Sequence, residues 1–270
     1  MEKLIIKIFS MENYEKFAKK IAKEAGGILK KNFRLEIKKE WKSDDSPVTE
    51  TDLKVNKLVI DSVNEHFPDH SVLGEEESNF VENSKFTWVC DPVDGTMPFS
   101  HGVPIFSFSL ALVEDGKPIL GIVYDPTLDR MFFAAKGKGA YLNDHKITVS
   151  GADNLKNTVI DLDGSGRDIG LNYLEIAKNL RENGCHIFKF NSVIYGGMLV
   201  AAGEFSSTIF LKDTVHDMAT IKIIVEEAGG KVTDVEGKEQ RYDRKCNGII
   251  ASNGLVHDEL VKIVNKNILK

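Results

Sequence analysis

Cysteine is scarce in this 270-residue chain, which contains three: Cys90, Cys185 and Cys246. They are odd in number, lie far apart and form no Cys-x-x-Cys or Cys/His spacing. This argues against a disulfide-stapled secreted scaffold and against a structural zinc site. A reducing compartment is therefore expected, and the cytoplasm is the simplest choice.

An excess of positive charge and long apolar runs are also lacking. Lysine and arginine total 35 against 41 aspartates and glutamates, so the formal net charge at pH 7 is −6. Proteins that bind nucleic acids or anionic membranes normally carry clustered basic surfaces, and we expect neither partner here. The N-terminal residues 1–9 are too short and too interrupted by charge to be a signal peptide or a membrane span.

What remains is the composition of an ordinary globular protein, with 42% hydrophobic and 28% charged residues. The length allows one large α/β unit or two closely packed halves. Residues 1–150 predict an α+β half with a large, mostly antiparallel sheet and most of the candidate metal ligands. Residues 151–270 alternate strands with helices and predict an α/β half, which contributes Asp217 and the substrate-side wall.

Hydrophobic periodicity places the individual elements. Apolar residues at helical spacing predict a long amphipathic helix from Met11 to Phe33, and residues 35–41 predict a strand. In the second half the pattern predicts strands over 158–160, 186–190 and 206–210, and helices over 172–182, 195–202, 217–228 and 255–264.

The most informative stretch is an apolar run that ends at two carboxylates, Trp88-Val89-Cys90-Asp91-Pro92-Val93-Asp94-Gly95-Thr96. Residues 86–90 predict a short buried strand. Pro92 is expected to end regular strand pairing, because proline has no amide hydrogen. The carboxylates are therefore predicted at the end of a strand.

This position suits a metal ion and a phosphate group. Magnesium prefers oxygen ligands, and Asp91, Asp94 and the Val93 carbonyl can turn toward one or two such ions. If a short helix begins at Gly95 and Thr96, its amides and dipole favour a phosphate beside the metal. The implied substrate is a phosphate ester.

Three further acidic positions each have a structural and a chemical interpretation. Asp52 lies at the start of a helical pattern, where capping and catalysis are about equally compatible with the local spacing. Glu75 opens a run of three glutamates after a predicted strand; such a run is usually a solvated face, but this one could meet Asp91 at one sheet edge. Asp217 either caps a predicted helix or presents a carboxylate to a second cation.

The segment Asp161-Leu162-Asp163-Gly164-Ser165 offers a competing chemistry, because it imitates the Asp-x-Asp-Gly-Thr turn of haloacid-dehalogenase phosphatases. Those enzymes form an aspartyl-phosphate. Their signature usually opens the fold and is followed by a lysine and an acidic pair, whereas here it lies mid-chain without them. We interpret it as a turn built from Asp, Gly and Ser, and keep covalent chemistry at Asp161 as an alternative.

Three ordered motifs resemble the inositol monophosphatase family of metal-dependent phosphatases: Gly74-Glu75-Glu76, the 88–96 stretch, and His216-Asp217-Met218-Ala219 followed by Glu227-Ala228-Gly229-Gly230. The likeness continues through 101–104, 121–126 and 136–140, and so covers nearly the whole chain. It implies a fold of mixed α+β and α/β character, the layered αβαβα sandwich of the inositol monophosphatase and fructose bisphosphatase type. It also implies a homodimer.

The resemblance assigns roles to individual residues. It implies two or three magnesium ions, with manganese possible, on Glu75, Asp91, the Val93 carbonyl, Asp94 and Asp217. Asp52 and Thr96 match the pair that orients and deprotonates a metal-bound water, and Glu75 is counted with them as catalytic. The amides of Gly95 and Thr96 are expected to hold the phosphate. The implied reaction is in-line attack of water on phosphorus, without a covalent enzyme intermediate.

The substrate side departs from the family pattern. Met97-Pro98-Phe99 replaces the usual residues after Asp-Gly-Thr, Phe210 stands where inositol-specific members place a sugar-binding glutamate, and His216 replaces a tryptophan. A small phosphorylated metabolite similar to inositol monophosphate is the expected substrate. Histidinol phosphate, fructose 1,6-bisphosphate and 3′-phosphoadenosine 5′-phosphate remain alternatives. The residues expected to face the leaving group are Asp94, Asn191, Ser192, Lys212 and Asp213.

An alternative of a different class is a catalytically silent relative that binds metal and a phosphorylated ligand as a regulator. The complete ligand set argues against it, because a silent protein need not keep both the metal ligands and the Asp52/Thr96 pair.

Overall fold

The computed structural model of the protein describes residues 10–43, 46–164, 166 and 169–268. Residues 1–9 and Ser165, for which the sequence made predictions, lie outside this description. Within the described ranges the chain forms seven helices and fourteen strands. None of these helices is long and apolar enough to cross a membrane.

The helices are α1 (Met11–Asn32), α2 (Glu50–His66), α3 (Thr96–Ser100), α4 (Tyr173–Glu182), α5 (Val193–Ala201), α6 (Met218–Glu227) and α7 (His257–Asn265). The strands are β1 (Lys39–Trp41), β2 (Pro47–Thr49), β3 (Ser71–Gly74), β4 (Phe86–Asp94), β5 (Ser107–Glu114), β6 (Lys117–Asp125), β7 (Arg130–Ala135), β8 (Gly139–Leu142), β9 (His145–Ile147), β10 (Val159–Asp163), β11 (His186–Phe188), β12 (Ser207–Phe210), β13 (Lys231–Thr233) and β14 (Ile249–Ser252).

Two large sheets organise the described chain. The first has seven strands in the order β3-β4-β5-β6-β7-β8-β9, parallel between β3 and β4 and antiparallel elsewhere. The second has five strands in the order β11-β10-β12-β14-β13. Strand β10 is parallel to both neighbours, and the remaining pairs are antiparallel. A small antiparallel pair, β1-β2, precedes α2.

Helices cover both sheets and separate them. Helices α1 and α2 bury apolar residues such as Ile21 and Val59 against the outer face of the seven-stranded sheet. Helices α5 and α6 lie between the two sheets, and α4 and α7 pack on the far side of the five-stranded sheet. The predicted αβαβα sandwich is therefore confirmed. The division into units 1–150 and 151–270 stays a prediction.

Several of the predicted strand boundaries were wrong. Strand β4 does not end at Cys90 but continues to Asp94, because the ladder with β5 tolerates Pro92 by shifting register between Asp91 and Asp94. Strand β10 reaches Asp163 instead of stopping at residue 160. The strand predicted over 35–41 begins only at Lys39. Both longer strands carry their extra residues into the candidate site.

One histidine is buried in the first core, and this makes the stability of the fold dependent on pH. The side chain of His70 is 6% exposed and lies among the rings of Tyr14, Phe67, Phe86 and Trp88. Its Nδ1 accepts a hydrogen bond from Trp88 Nε1 at 3.2 Å, as a neutral imidazole can. Burial lowers the pKa of His70 to about 4.

Acid is expected to destabilise the protein through His70. In the unfolded chain a histidine has a pKa of about 6.5, so between that pH and about 4 the unfolded state binds a proton that the folded state does not. The contribution of His70 to the free energy of unfolding is therefore complete above pH ~6.5 and decreases as the pH drops, by ~2 kcal/mol at pH ~5. Chemical denaturation of wild type and His70→Gln at pH ~6.5 and at pH ~5 measures this decrease. Equal pH slopes in the two proteins would contradict the assignment.

Candidate active site

Three buried aspartates from two layers of the fold converge on one point. Asp91 and Asp94 come from the irregular end of β4, and Asp217 comes from the residue before α6. Each offers a carboxylate oxygen, and these oxygens lie within 4.8 Å of one another. The side chains are only 2%, 2% and 8% exposed. Such close carboxylates repel one another unless a cation or protons intervene.

The electrostatics of this triad favour a hard cation. Burial raises the pKa of Asp94 to about 7, with the charge of Asp217 adding to the effect. Burial also raises the pKa of Asp91 well above its usual range, and the charge of Glu75 adds to it. The donors are all carboxylate oxygens, the ligand type that Mg²⁺ prefers. The residues present therefore fit a divalent cation.

Asp94 also fixes the start of α5. Its carboxylate accepts hydrogen bonds from Ser192 Oγ at 2.6 Å, from Tyr195 N at 3.2 Å and from Ile194 N at 3.4 Å. Ser107 Oγ, on the neighbouring strand β5, donates to the same side chain at 3.2 Å. The first turn of a helix has amides without intrahelical partners, and here a residue of the other sheet satisfies two of them. The orientation of Asp94 is thereby determined from two sides.

Asp217 occupies a cap position without capping. Within the described chain its side chain makes no hydrogen bond to the first turn of α6. Its Oδ2 instead accepts a hydrogen bond from Thr214 Oγ1 and lies 3.4 Å from His216 Nε2. Of the two interpretations that the sequence left open, the structure favours a carboxylate turned to the metal triad.

Glu75 lies in the same cleft but contacts a lysine. Lys42 Nζ lies 2.9 Å from Glu75 Oε1 and 2.6 Å from Glu76 Oε1. Burial alone would raise the pKa of Glu75, but its interactions with His216 and Lys42 outweigh this effect, so the pKa is lowered. Glu75 is therefore held as a carboxylate beside Asp91, where it is available as a further ligand.

Asp52 caps α2 and also contacts Thr96, the partner that the catalytic interpretation requires. Its Oδ2 accepts hydrogen bonds from the amide and the hydroxyl of Thr49, which forms the capping box of α2. Its Oδ1 accepts a hydrogen bond from Thr96 Oγ1 at 3.0 Å. Thr96 Oγ1 also lies 2.9 Å from the Val93 carbonyl oxygen. Burial, with a smaller contribution from the charge of Glu75, raises the pKa of Asp52 to about 6.

Gly95 makes the tight connection between β4 and α3. It has a φ of +84°, and a Cβ atom there would lie 2.7 Å from the Ile105 carbonyl oxygen and 3.0 Å from Ser192 Cβ. Both the backbone conformation and the lack of space therefore require glycine.

Gly95→Ala is expected to destabilise the protein by about 2 kcal/mol or more, because strain at positive φ adds to the clash with backbone. Phosphatase activity should fall with it, since Asp94 and Thr96 flank the displaced turn. Thermal unfolding and phosphate release measure the two effects. Gly27→Ala in α1 is the matched control: apart from its chain neighbours and the backbone of its own helix, no described atom lies within 4 Å of its Cβ position, and alanine should stabilise that helix by up to ~1 kcal/mol. Equal Tm values for the two variants would contradict this account.

The site opens into a cleft of about 530 Å³ between the two sheets. Of the predicted residues, Glu75, Asp91, Val93, Asp94, Gly95, Thr96, Asn191, Lys212 and Asp217 line it. Among the described residues, Asp52, Ser192 and Asp213 do not line the cleft. Asp52 reaches it through Thr96, Ser192 supports Asp94, and the carboxylate of Asp213 accepts a hydrogen bond from Lys245 Nζ at 2.8 Å.

Sequence reasoning missed three charged side chains of this cleft or its edge: Lys42, Asp163 and Lys189. Asp163 could have been found, because residues two apart in a strand point to the same face of the sheet, and Asp163 lies two residues after Asp161. Ending β10 at residue 160 hid that signal. Lys42 and Lys189 lie in polar segments and carry no local signal that distinguishes them from surface lysines.

Asp161, the residue of the competing covalent mechanism, lies beneath the cleft. It is 0% exposed, and its carboxylate accepts hydrogen bonds from Thr208 Oγ1 at 2.9 Å and Phe190 N at 3.4 Å. Among the described residues it is not part of the cleft wall. This burial supports the structural interpretation of Asp161.

Comparison with known proteins gives one consistent result. The model of the inositol monophosphatase family matches residues 10–269. A fructose-1,6-bisphosphatase/inositol-1-monophosphatase of Thermotoga maritima is 37% identical over 219 residues, which cover 81% of this chain and 82% of the relative. Inositol monophosphatase 2 of Solanum lycopersicum is 32% identical over 270 residues, 95% of this chain and 100% of the relative.

The solved structures agree. The structure of a Thermotoga maritima IMPase superposes with a TM-score of 0.84 at 33% sequence identity, over 94% of this chain and 97% of the other. One family relationship therefore accounts for both the αβαβα layers and the phosphatase motifs around the buried aspartates. The chain belongs to the inositol monophosphatase family, and it is a phosphatase of the hydrolase class.

Proposed function

We propose that this protein is a magnesium-dependent phosphomonoesterase that cleaves a small phosphorylated metabolite by direct attack of water on phosphorus. The observation that carries the proposal is the buried triad of Asp91, Asp94 and Asp217 beside the hydrogen-bonded pair of Thr96 and Asp52. Relatives named for inositol monophosphate and fructose 1,6-bisphosphate support the choice of substrate class.

The metal ligands proposed are the triad together with Glu75 and the Val93 carbonyl, for two or three Mg²⁺ ions with Mn²⁺ as a substitute. When bound, such ions neutralise phosphate charge and make water a better nucleophile near neutral pH. Asp94 is oriented for this role by Ser107 and Ser192, and Lys42 holds Glu75 in its ionised form.

Thr96 and Asp52 provide a path for the proton of the attacking water. Thr96 Oγ1 has one hydrogen, for which Asp52 Oδ1 at 3.0 Å and the Val93 carbonyl at 2.9 Å are alternative acceptors; when it donates to Asp52, its lone pairs remain available to a donor in the cleft. A water that donates to Thr96 Oγ1 can thus pass a proton through the hydroxyl to Asp52. A carboxyl group with a pKa of about 6 is ionised at neutral pH and can accept it.

The amides at the start of α3 are proposed to bind the phosphate oxygens. Gly95 is the residue before this helix and Thr96 is its first, so their N–H groups have no partner within the helix. Hydrogen bonds aimed at the position where negative charge develops lower the barrier without reorganisation. Inositol monophosphate is the leading substrate, with histidinol phosphate, fructose 1,6-bisphosphate and 3′-phosphoadenosine 5′-phosphate as alternatives.

A phosphate-release screen over these four esters and p-nitrophenyl phosphate tests the proposal. We expect Mg²⁺-dependent release from at least one metabolite, loss of release with a chelator and recovery with added Mg²⁺. A protein that binds the esters but releases no phosphate from any of them would show that the silent regulator is correct. Release that is unaffected by the chelator would contradict the metal-dependent mechanism.

A homodimer and a cytoplasmic location complete the proposal. Family membership supports the dimer. The three cysteines, all in the described ranges, are buried and unpaired, which supports a reducing compartment. Sedimentation at micromolar concentration tests the dimer, and a monomer there would contradict it.

A further inference from the structure

One wall of the cleft is built by the five-stranded sheet and differs in chemistry from the metal site. It contains Asp163 at the end of β10, Phe210 at the end of β12, and Lys189 and Asn191 between β11 and α5. Asp163 and Phe210 are Cα partners in the parallel β10/β12 ladder, so a carboxylate and an aromatic ring stand side by side.

Asp163 is a buried carboxylate with acceptor capacity left over. Its side chain is 6% exposed, its Oδ1 accepts a hydrogen bond from Gly164 N at 2.7 Å, and its carboxyl group also accepts from the backbone of Asn191. Among the described cations Lys189 Nζ is its ion-pair partner, at 3.9 Å, which is too far for a hydrogen bond. A carboxylate has about four acceptor sites, so this one can accept further hydrogen bonds from a ligand in the cleft.

Lys189 supplies donors beside this acceptor. Its Nζ lies 4.9 Å from the centroid of the Tyr173 ring and 3.9 Å from Asp163 Oδ1, and the side chain is 42% exposed. The ammonium group is therefore held at the wall while its hydrogens remain accessible.

The segment that carries Lys189 and Asn191 is held from both ends. Asp161 accepts a hydrogen bond from Phe190 N, and Asp94 accepts one from Ser192 Oγ. Asn191 between them has a φ of +52°, a left-handed conformation that asparagine adopts more readily than most other non-glycine residues. The polar groups of this wall are thus preorganised, as ligand recognition requires.

One ligand class suits this wall, which offers a carboxylate acceptor, an ammonium donor, an amide and an aromatic surface. Adjacent hydroxyl groups donate to a carboxylate and accept from a lysine, while the apolar C–H face of a ring packs on an aromatic side chain. We propose that Asp163 and Lys189 determine specificity by binding vicinal hydroxyls of a polyol leaving group, with its apolar face against Phe210. This inference rests on the proposed phosphatase function and identifies which residues recognise the alcohol.

A second phosphate on the substrate is the competing occupant. Lys189 and Lys212 both line the cleft and could attract it, whereas Asp163 would repel it. The two possibilities predict opposite effects of removing the Asp163 charge, so one series of measurements separates them.

The test compares inositol 1-phosphate, fructose 1,6-bisphosphate and p-nitrophenyl phosphate in wild type and Asp163→Asn. Asparagine keeps an acceptor for Gly164 N but loses the charge. A hydrogen bond to a charged group contributes about 1.5–3 kcal/mol, so KM for the inositol ester should rise about 10- to 100-fold with kcat nearly unchanged. KM for the aryl ester, which has no hydroxyls, should stay within about twofold. Lys189→Met should show the same selectivity with a smaller rise, and remains informative if Asp163→Asn does not fold.

The matched control is Asp234→Asn, which changes a buried aspartate outside the cleft whose carboxylate accepts hydrogen bonds from Glu236 N and Lys238 N. It should leave the ratio of KM values for the two monoesters unchanged, whatever it does to Tm.

Equal KM changes for both monoesters in Asp163→Asn would show a structural role and overturn the inference. A lower KM for the bisphosphate with no change for the inositol ester would assign the wall to a second phosphate. Wild type that hydrolyses the aryl ester but no polyol phosphate would overturn this inference alone, whereas hydrolysis of none would overturn the proposed function as well.

Discussion

Asp94→Asn is expected to lower kcat for phosphate release by about 10³-fold while leaving the fold intact. The substitution removes one charged ligand from the triad, and metal-based charge stabilisation contributes several kcal/mol to such reactions; ~4 kcal/mol corresponds to about 10³ in rate. The amide oxygen in the place of Oδ2 can still accept from Ser192 Oγ and Tyr195 N, so only the 3.4 Å hydrogen bond from Ile194 N to Oδ1 is lost. Steady-state kinetics and thermal unfolding, both with Mg²⁺ present, measure the two effects.

The metal-free variant should be no less stable than metal-free wild type. Burial raises the pKa of Asp94 to about 7, so its ionised form is unfavourable in the folded state when no cation is bound. A neutral asparagine removes this cost and the repulsion from Asp91 and Asp217. Asp161→Asn is the control, since Asp161 is equally buried but outside the cleft, and it should keep most activity. Wild-type turnover in Asp94→Asn, or phosphate trapped on Asp161, would show that the site has been assigned wrongly.

The sequence was most informative where local chemistry and family motifs coincided. The run from Trp88 to Thr96 predicted a strand, two carboxylates and a turn, and the structure has all three, with Gly95 at a φ of +84°. The end of the strand was misplaced because Pro92 was given too much weight. The loss of its N–H is absorbed by the register shift between Asp91 and Asp94, and this depends on the partner strand β5.

The substrate wall could not be predicted in the same way. Asp163 and Phe210 are separated by many residues in the chain and become neighbours only through the β10/β12 register. Ser192 and Asp213 were expected at the leaving group from their position in the chain, but one supports Asp94 and the other pairs with Lys245. The direction of a side chain at the end of a strand depends on strand pairing and on where the next helix begins. Neither is evident from a single sequence.

Asp52→Asn and Thr96→Val are each expected to lower kcat by about 10²- to 10³-fold, the usual contribution of a positioned proton acceptor. Because Thr96 Oγ1 reaches Asp52 Oδ1 at 3.0 Å and Asp52 itself does not line the cleft among the described residues, the two groups should act as one unit. The double variant should therefore be no slower than the slower single variant, and the effects should be far from additive. Single-turnover kinetics with saturating Mg²⁺ measure the cycle.

Thr49→Val provides the matched control for this cycle. Thr49 Oγ1 binds Oδ2, the other oxygen of the same Asp52 carboxyl group, and Thr49 is the N-cap of α2. Its loss should cost about 1 kcal/mol of stability but leave kcat within a few-fold, since Oδ1 and Thr96 are untouched. Additive effects of Asp52→Asn and Thr96→Val, or an equally large loss of kcat in Thr49→Val, would contradict the proton path.

The most direct test of the central claim is the binding of Mn²⁺ to wild type and to Asp217→Asn, measured through the free-ion electron paramagnetic resonance signal. If the three buried aspartates form a divalent-cation site, wild type binds Mn²⁺ saturably and Mg²⁺ displaces it. Asp217→Asn should then bind at least about tenfold more weakly, because one anionic ligand is lost. Equal affinities in the two proteins, or no saturable binding to wild type, would contradict the claim that these carboxylates are a metal centre.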